Sequence, residues 1–291
     1  MNKNFGLIGV AGFIAPKHLK AIASTKNNLL VSLDPHDSVG LIDRFFPESL
    51  FFKKEKSFIE CPQFKKLDFI SICSPNFLHK SHIELSLENN IDCICEKPLV
   101  LNTQDTNELL NLEEKYGKKI YPILQLRLDP GVINLKKDVE NNPNKFFNID
   151  LNYITTRGDW YFKSWKGNKT LSGGLLINIG IHFFDILCWI FGEPYHNELL
   201  SENKKMCKGH LKFKKAKVDW LLSVDPQHLP TNTNNVHKEM IINNKEKLSF
   251  NGENLHTLMY LKILQGEGFT LRDAVPSIKL IESMKKKIEC L

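Results

Sequence analysis

The sequence has few of the features that mark membrane or secreted proteins. No stretch approaches the roughly 18 consecutive apolar residues that a membrane-spanning helix needs, and the N-terminus runs directly into a predicted strand without a cleavable signal pattern. We therefore expect a cytoplasmic protein without membrane insertion. Its 291 residues, of which 42% are hydrophobic and 25% charged, suit a globular chain of two domains.

Cysteine is present but lacks the spacing of a metal site. None of the seven cysteines forms a Cys-x-x-Cys pair, and Cys93 and Cys95 share a strand face without nearby histidine or carboxylate ligands. Cys73, Cys93, Cys95 and Cys188 lie in apolar runs, which indicates small buried side chains in a reducing compartment. We expect no metal.

The chain also lacks a concentrated basic surface. Its net charge of +6 comes from lysines that are spread along the sequence and are not interleaved with aromatic residues on one element. No nucleic-acid partner is therefore expected. A weak positive field would instead attract an anionic substrate.

A full G-x-G-x-x-G motif is absent, yet the N-terminal region has the order of a dinucleotide-binding fold. An apolar run over residues 5–10 turns at Gly9-Val10-Ala11-Gly12, a helix follows over 16–25, and a strand over 29–33 ends at Asp34. Such a turn brings backbone N–H groups to a pyrophosphate, while the acid binds ribose hydroxyls. A plain strand-to-helix turn is the alternative. Because no arginine follows Asp34, the sequence favours NAD over NADP.

Strands and helices alternate through the N-terminal half, which predicts an α/β fold with a Rossmann-type, doubly wound parallel sheet. Its strand ends would bring five residues to one edge, where open sheets bind ligands: Gly9, Asp34, Ser74, Lys97 and Gln125. After Arg127 the pattern changes to a long polar helix and then mostly strands. We expect an NAD-binding domain over residues 1–126. A C-terminal α+β domain with a mostly antiparallel sheet, for substrate binding and oligomerisation, would cover 127–291.

Two further stretches carry candidate chemistry. Cys95-Glu96-Lys97-Pro98-Leu99 places a lysine at the end of a buried strand and fixes the turn with proline, although a surface lysine is the simpler interpretation of this stretch alone. The stretch 173–187 predicts one apolar helix on which Asn178, His182 and Asp185 share a face. A lone histidine there would be a core residue, but three polar groups on one stripe indicate a functional site.

Together these motifs resemble the Gfo/Idh/MocA family of sugar oxidoreductases. The resemblance rests on the glycine turn with Asp34, on Ser74-Pro75-Asn76 with His79, on Glu96-Lys97-Pro98-Leu99, and on Gly173-Gly174 through Asn178, His182 and Asp185. These motifs follow the family's order over nearly the whole chain. The stretches 8–16, 123–127, 153–161, 163–167 and 221–225 further resemble the branch of UDP-N-acetylglucosaminuronate 3-dehydrogenases, also called WlbA or WbpB.

The resemblance implies an NAD-dependent oxidation of the 3-hydroxyl of UDP-N-acetylglucosaminuronic acid to the 3-keto sugar. That step leads to diacetamido uronic acids for surface polysaccharide such as the lipopolysaccharide O-antigen. The resemblance also implies a homo-oligomer, commonly a tetramer, and leaves open whether NADH is reoxidised in place by 2-oxoglutarate. The alternatives are a dehydrogenase of another sugar or cyclitol and a non-catalytic NAD-binding regulator.

By the same resemblance, Lys97 and His182 carry the chemistry. Histidine suits proton removal at neutral pH, whereas lysine would need a lowered pKa, so we prefer His182 as the base and Lys97 as the cation beside the developing alkoxide. The reverse assignment stays open. The implied substrate-binding residues are Lys97, Arg157, Lys163, Trp165, Asn178 and His182, with ordinary packing as the alternative for Trp165. The implied cofactor-binding residues are Gly9, Ala11, Gly12, Phe13, Ile14, Asp34, Ser74, Pro75, Asn76, His79, Glu96, Lys97 and Gln125.

Overall fold

The structure is a computed structural model that describes residues 2–37, 39–231, 233–248, 250 and 252–289. Its strands are β1 (Asn4–Ile8), β2 (Asn28–Leu33), β3 (Leu50–Phe52), β4 (Phe69–Ile72), β5 (Asp92–Cys95), β6 (Ile120–Pro122), β7 (Phe147–Thr155), β8 (His196–Glu202), β9 (Met206–Lys212), β10 (Ala216–Ser223), β11 (Val236–Ile242) and β12 (Glu246–Leu248). Its α-helices are α1 (Ala15–Ser24), α2 (Val39–Asp43), α3 (Glu55–Glu60), α4 (His79–Glu88), α5 (Thr103–Tyr116), α6 (Pro130–Asn141), α7 (Asp159–Lys163), α8 (Lys169–Ser172), α9 (Gly174–Asn178), α10 (Ile181–Phe191), α11 (Leu255–Leu264) and α12 (Leu271–Glu289). Short 3₁₀ turns span Phe64–Lys66, Asn76–Leu78, Gln125–Leu128, Trp165–Gly167 and Pro226–His228.

Unit 1, residues 1–100, 104–125 and 254–273, is built on a six-stranded parallel sheet. Its strand order is β3-β2-β1-β4-β5-β6, so the chain starts in the middle and winds outward in both directions. The central strands are apolar because both faces of a parallel sheet are covered, and all four residues of β4 are buried. This topology confirms the predicted Rossmann-type sheet.

One helix of unit 1 comes from the C-terminal half of the sequence. Residues 254–273 contain α11, whose Met259, Tyr260 and Ile263 are buried. The ring of Tyr260 lies 5.7 Å from that of Phe5 on β1, so the helix completes the core of the parallel sheet. The chain therefore passes from unit 1 to unit 2 after residue 125, next to the predicted boundary after 126. It returns to unit 1 at residue 254. A single boundary misses this return, because an apolar helix does not reveal in sequence which sheet it covers.

Unit 2, residues 101–103, 126–253 and 274–291, contains the second six-stranded sheet in the order β12-β11-β7-β10-β9-β8. Its one parallel pair is β7 with β10, and the other neighbouring strands run antiparallel. Helix α10 packs on this sheet, where Phe184 meets Trp220 edge to face at 5.3 Å between ring centroids. The predicted mostly antiparallel α+β domain is confirmed.

The predicted single helix over residues 173–187 is wrong. It is divided into α9 and α10, and the segments Lys169–Asn178 and Ile181–Phe191 meet at a 48° bend. The break lies at Gly180, where a Cβ would stand 2.5 Å from the Leu222 side chain of β10 and 2.6 Å from the Leu176 carbonyl oxygen. The close approach of the sheet therefore requires glycine and bends the chain. Asn178 no longer shares a continuous helix face with His182 and Asp185.

Within the described ranges, no single helix is long and apolar enough to cross a membrane. The bent pair Lys169–Asn178 and Ile181–Phe191 is long and apolar enough only when its two parts are taken together. Most of α10 is buried inside unit 2.

Candidate active site

The glycine turn after β1 is tied to the end of β2. Gly9 has a φ of 85°, and a Cβ there would lie 2.6 Å from the backbone of Cys73, so glycine is required at this position. The buried carboxylate of Asp34 accepts hydrogen bonds from the backbone N–H groups of Ala11 and His36, both at 2.9 Å. A carboxylate has further lone pairs for ligand hydroxyls. The predicted turn and acid therefore meet in space.

The rest of the turn leads into the first turn of α1. The backbone N–H of Gly12 donates to the carbonyl of Gly9 at 3.0 Å. Phe13 is 89% exposed and Ile14 occupies the N-cap position of α1. A helix N-terminus is a favourable place for the negative charge of a pyrophosphate.

The loop after β4 is held by two buried histidines of α4. The Oγ of Ser74 lies 2.8 Å from the Nδ1 of His82. The ring of His79 lies between two backbone carbonyls, with Nε2 at 2.8 Å from Ser74 O and Nδ1 at 2.7 Å from Pro98 O. Burial lowers the pKa of His79, while the two carbonyl contacts raise it. Two acceptors are satisfied only by a ring with two N–H groups, so one contact weakens when His79 is neutral.

Pro75 and Asn76 continue this loop. Pro75 occupies the N-cap position of the 3₁₀ turn Asn76–Leu78, and Asn76 is buried. The predicted cofactor loop 74–76 and the lysine turn after β5 are therefore linked by the ring of His79.

The turn after β5 carries Glu96 and the half-buried Lys97. Glu96 is 4% exposed, and its Oε1 accepts hydrogen bonds from Nε2 of His18 and Nε2 of His256, both at 2.9 Å. Its Oε2 accepts the backbone N–H of Lys97 at 3.1 Å. Burial alone raises the pKa of Glu96, but the hydrogen bonds from the two histidines hold it well below its usual value. The carboxylate is thus an anion that positions the lysine turn.

Four members of this buried cluster were not predicted from the sequence. Nδ1 of His18 lies 2.7 Å from the hydroxyl of Tyr260, which lies 2.6 Å from the hydroxyl of Ser71. These residues and His256 come from β4, α1 and α11. A buried polar side chain needs a partner, so a histidine on the inner face of a predicted helix is the one sequence signal that could have indicated such a cluster.

Gln125 begins the 3₁₀ turn that follows β6. Its Oε1 is buried, and among the residues that the structure describes it has no hydrogen-bond partner. A buried acceptor without a partner costs stability, so a group that reaches this oxygen in the working protein would stabilise the site. This atom and the requirement for glycine at position 9 are two features of unit 1 that fit a bound dinucleotide.

A second set of predicted residues lies in unit 2. Nη1 of Arg157 donates to the hydroxyl of Thr155 at 2.8 Å. The ammonium of Lys166 lies over the rings of Trp160 and Trp165, at 5.4 and 5.7 Å from their centroids. Burial and the charge of Arg157 lower the pKa of Lys166. Two cations near each other favour an anionic ligand.

Lys163 and Asn178 occupy different settings in the same unit. Lys163 is the exposed last residue of α7. The side-chain amide of Asn178 donates to the hydroxyl of Tyr161 at 3.0 Å. Burial raises the pKa of Tyr161, so the phenol is a neutral partner. The structure thus places Asn178 beside Tyr161, a residue that the sequence analysis did not assign to the site.

His182 lies half-buried on α10, one turn before Asp185. Asp185 forms a buried bidentate pair with Arg127, with Nε to Oδ2 at 2.9 Å and Nη2 to Oδ1 at 2.8 Å. The guanidinium carbon also lies 5.7 Å from the ring centroid of Trp189. Asp185 therefore fixes the helix that carries His182 to Arg127 within unit 2.

Comparison with known proteins identifies the family. A model for the GFO_IDH_MocA oxidoreductase family, NAD-binding Rossmann fold, matches residues 3–123. A model for the C-terminal alpha/beta domain of the same family matches residues 144–237. These matches confirm the predicted family and the predicted NAD-binding Rossmann fold.

Similarity to a solved structure extends over nearly the whole chain. The WlbA (WbpB) dehydrogenase from Thermus thermophilus, solved in complex with NAD and UDP-GlcNAcA, is 39% identical, with a TM-score of 0.90 over 97% of this chain and 94% of that chain. The oxidoreductase YteT of Bacillus subtilis is 32% identical over 48% of this chain and 33% of that protein. The D-glucoside 3-dehydrogenase of Escherichia coli is 30% identical over 44% of this chain and 37% of that protein. The matched region thus spans about a third of the length of these curated relatives.

Proposed function

The chain belongs to the Gfo/Idh/MocA oxidoreductase family, and on that premise we propose that it oxidises the 3-hydroxyl of UDP-N-acetylglucosaminuronic acid with NAD. The observation that carries the proposal is the similarity to the Thermus WlbA dehydrogenase, which covers 97% of this chain. That protein was crystallised with NAD and UDP-GlcNAcA. The contacts within each unit support the same conclusion.

Unit 1 offers the residues that would hold NAD. Gly9 and Gly12 form the close turn, Asp34 offers carboxylate lone pairs for ribose hydroxyls, and Gln125 offers a buried oxygen that lacks a described partner. The ring of His79 links the loop 74–76 to the lysine turn, and Glu96 accepts the backbone N–H of Lys97. When bound, NAD supplies the acceptor for the hydride that leaves the sugar carbon.

The chemistry needs a base and a stabilising cation. Oxidation of a secondary alcohol removes the hydroxyl proton while a hydride leaves the same carbon. We assign removal of the hydroxyl proton to the imidazole of His182, because the ordinary pKa of histidine suits proton transfer at neutral pH. The ammonium of Lys97 then stabilises the negative charge that develops on the oxygen. The bidentate bond of Asp185 to Arg127 fixes the helix beneath His182.

Unit 2 offers cations for a substrate with a diphosphate and a carboxylate. Arg157 and Lys166 lie near enough for the charge of one to lower the pKa of the other. Trp165 contributes an indole face beside Lys166, and Lys163 is exposed nearby in sequence. We assign these side chains to the anionic groups, and Asn178 with Tyr161 to the sugar.

In the cell, this reaction would supply a 3-keto nucleotide sugar to an aminotransferase in surface polysaccharide synthesis such as that of the O-antigen. We propose that the protein works in the cytoplasm as a homo-oligomer, such as a tetramer. The +6 net charge suits an anionic substrate. Gel filtration with light scattering tests the oligomeric state directly.

The experiment is NADH absorbance after the protein is mixed with NAD and UDP-N-acetylglucosaminuronic acid. Lys97→Ala and His182→Ala should each lower the rate by roughly 10²- to 10⁴-fold. Lys56→Ala and His196→Ala, at exposed positions of units 1 and 2, are the matched controls. Added 2-oxoglutarate that is consumed without net NADH would reveal reoxidation in place.

The other outcomes separate the alternatives. Turnover of glucosides or inositols in place of the nucleotide sugar would indicate another sugar or cyclitol dehydrogenase of the family. The D-glucoside 3-dehydrogenase of Escherichia coli is one such relative. NAD binding with no turnover of any of these substrates would indicate a regulator. Either result would refute the proposed substrate.

A further inference from the structure

Three buried histidines from three helices surround the turn that carries Lys97. His18 on α1 and His256 on α11 both contact Oε1 of Glu96 at 2.9 Å. His79 on α4 contacts the carbonyl oxygen of Pro98 at 2.7 Å. All three histidines are at most 5% exposed, so solvent contributes little to these contacts. The turn is therefore held on both sides of Lys97.

The hydrogen bonds to Glu96 follow one consistent pattern. With Nε2–H on both His18 and His256, Oε1 of Glu96 accepts two donors. Nδ1 of His18 is then an acceptor for the hydroxyl of Tyr260, which in turn accepts the hydroxyl of Ser71 at 2.6 Å. Every ring nitrogen of His18 and both oxygens of Glu96 are satisfied in this way. Such a fully connected buried network is rigid.

His18, Glu96 and His256 have the ligand types of a metal site, and their ligand atoms lie within 4.8 Å of one another. A shared zinc ion would stand about 2.0–2.2 Å from each nitrogen and oxygen, with the ligand atoms separated around it. Here both nitrogens are instead at hydrogen-bond distance from one oxygen, 2.9 Å in each case. The geometry is that of N–H donors on a carboxylate.

The second oxygen of Glu96 connects the two histidines to the backbone of Lys97. Oε2 accepts the backbone N–H of Lys97 at 3.1 Å, so the carboxylate fixed by two histidines fixes the backbone from which the ammonium extends. We propose that His18, His79 and His256 are positioning residues that set the orientation of Lys97. This inference rests on the proposed function for its catalytic consequence, but its structural content concerns unit 1 alone.

The expected effect follows from the sensitivity of catalysis to position. A misplacement of about 1 Å can lower a rate roughly 100-fold. His256→Leu removes the N–H donor to Glu96 while keeping an apolar side chain, and we expect kcat to fall about 10- to 100-fold with a smaller change in KM. His256→Gln restores an N–H donor at the reach of Nε2 and should recover most of that loss. Ile263→Val, on the same face of α11, controls for general loosening of the helix.

A second readout does not depend on the sugar. Acetylation of Lys97 by acetic anhydride, followed by peptide mass spectrometry, is compared with that of Lys56, whose side chain is 83% exposed. A reoriented Lys97 side chain meets the reagent differently while the exposed Lys56 is unaffected, so the ratio of the two labels reports the orientation of Lys97. We expect the Lys97-to-Lys56 ratio to change in His256→Leu and to match the unaltered protein in His256→Gln and Ile263→Val.

The two readouts separate two failures. If the unaltered protein turns over no nucleotide sugar but the labelling ratio responds as expected, the substrate assignment fails and the positioning role stands. An unchanged labelling ratio in His256→Leu would overturn the positioning role, whatever the activity. A fall in kcat that is equal in His256→Leu, His256→Gln and Ile263→Val would also overturn it, because it would reflect general loosening of α11.

Discussion

His82 gives unit 1 a predictable sensitivity to acid. It lies on α4 with Nδ1 at 2.8 Å from the hydroxyl of Ser74, and its side chain is 10% exposed. Burial and the neighbouring His79 lower the pKa of His82 to about 4. In the unfolded chain the pKa returns to about 6.5. The folded state therefore favours the neutral ring more than the unfolded state does.

The sign and size of the effect follow from proton linkage. The unfolded state binds the proton first as the pH falls, so the contribution of His82 to stability is present above pH 6.5 and is lost as the pH falls toward 4. Between pH 7 and pH 5, the two pKa values give a loss of about 2 kcal/mol from this residue. By pH 4 the loss is about 3 kcal/mol.

The assay is urea unfolding followed by circular dichroism at pH 7 and pH 5. His82→Asn keeps a hydrogen-bonding group near Ser74 but does not titrate, so the free energy of unfolding should fall by about 2 kcal/mol less between the two pH values than in the unaltered protein. His196→Asn, at an exposed position of β8, controls for the loss of a histidine. Equal pH dependence in the unaltered protein and His82→Asn would refute this reasoning.

Three further predictions concern buried contacts. Asp185→Ala leaves the Arg127 guanidinium buried without its carboxylate, so urea unfolding should show a loss of about 3–5 kcal/mol, and a loss below 1 kcal/mol would contradict this. Gly9→Ala forces a Cβ against the Cys73 backbone at a φ of 85° and should cost about 1–3 kcal/mol, with weaker NAD binding by calorimetry. Asp34→Ala removes the proposed acceptor of the ribose hydroxyls, worth about 1.5–3 kcal/mol, so NAD affinity should fall about 10- to 100-fold, and unchanged affinity would exclude this role.

Much of the architecture could be predicted because it rests on local patterns. Alternation of apolar strands with helices predicts a parallel sheet, and the observed order β3-β2-β1-β4-β5-β6 is one of the doubly wound orders that such a chain forms. A glycine turn between β1 and α1 is a local feature, as is a proline after Lys97. The same holds for the acid at the end of β2, since strand ends of a parallel sheet share one edge.

The buried cluster around Glu96 could not be predicted in this way. His18 and His256 are 78 and 160 residues from Glu96 along the chain, and the pairing depends on which helices pack on the sheet. The bend at Gly180 has the same kind of cause, because it arises where Leu222 of another element approaches the backbone. In both cases the deciding contact is a long-range one that no local pattern encodes.

The return of α11 to unit 1 also determines the order in which the protein can be completed during synthesis. The ribosome releases β1 to β6 early, whereas His256 and Tyr260 emerge only after residues 126–253 have been made. Until then Glu96 is without one of its two histidine donors, and the core beside Phe5 is without the ring that covers it. A chain that stops before α11 therefore contains every strand of the parallel sheet but not a finished lysine turn. We expect chaperones or proteases to recognise such a nascent fragment as unfinished, so the turn that carries Lys97 is fixed in place only after α11 has been made.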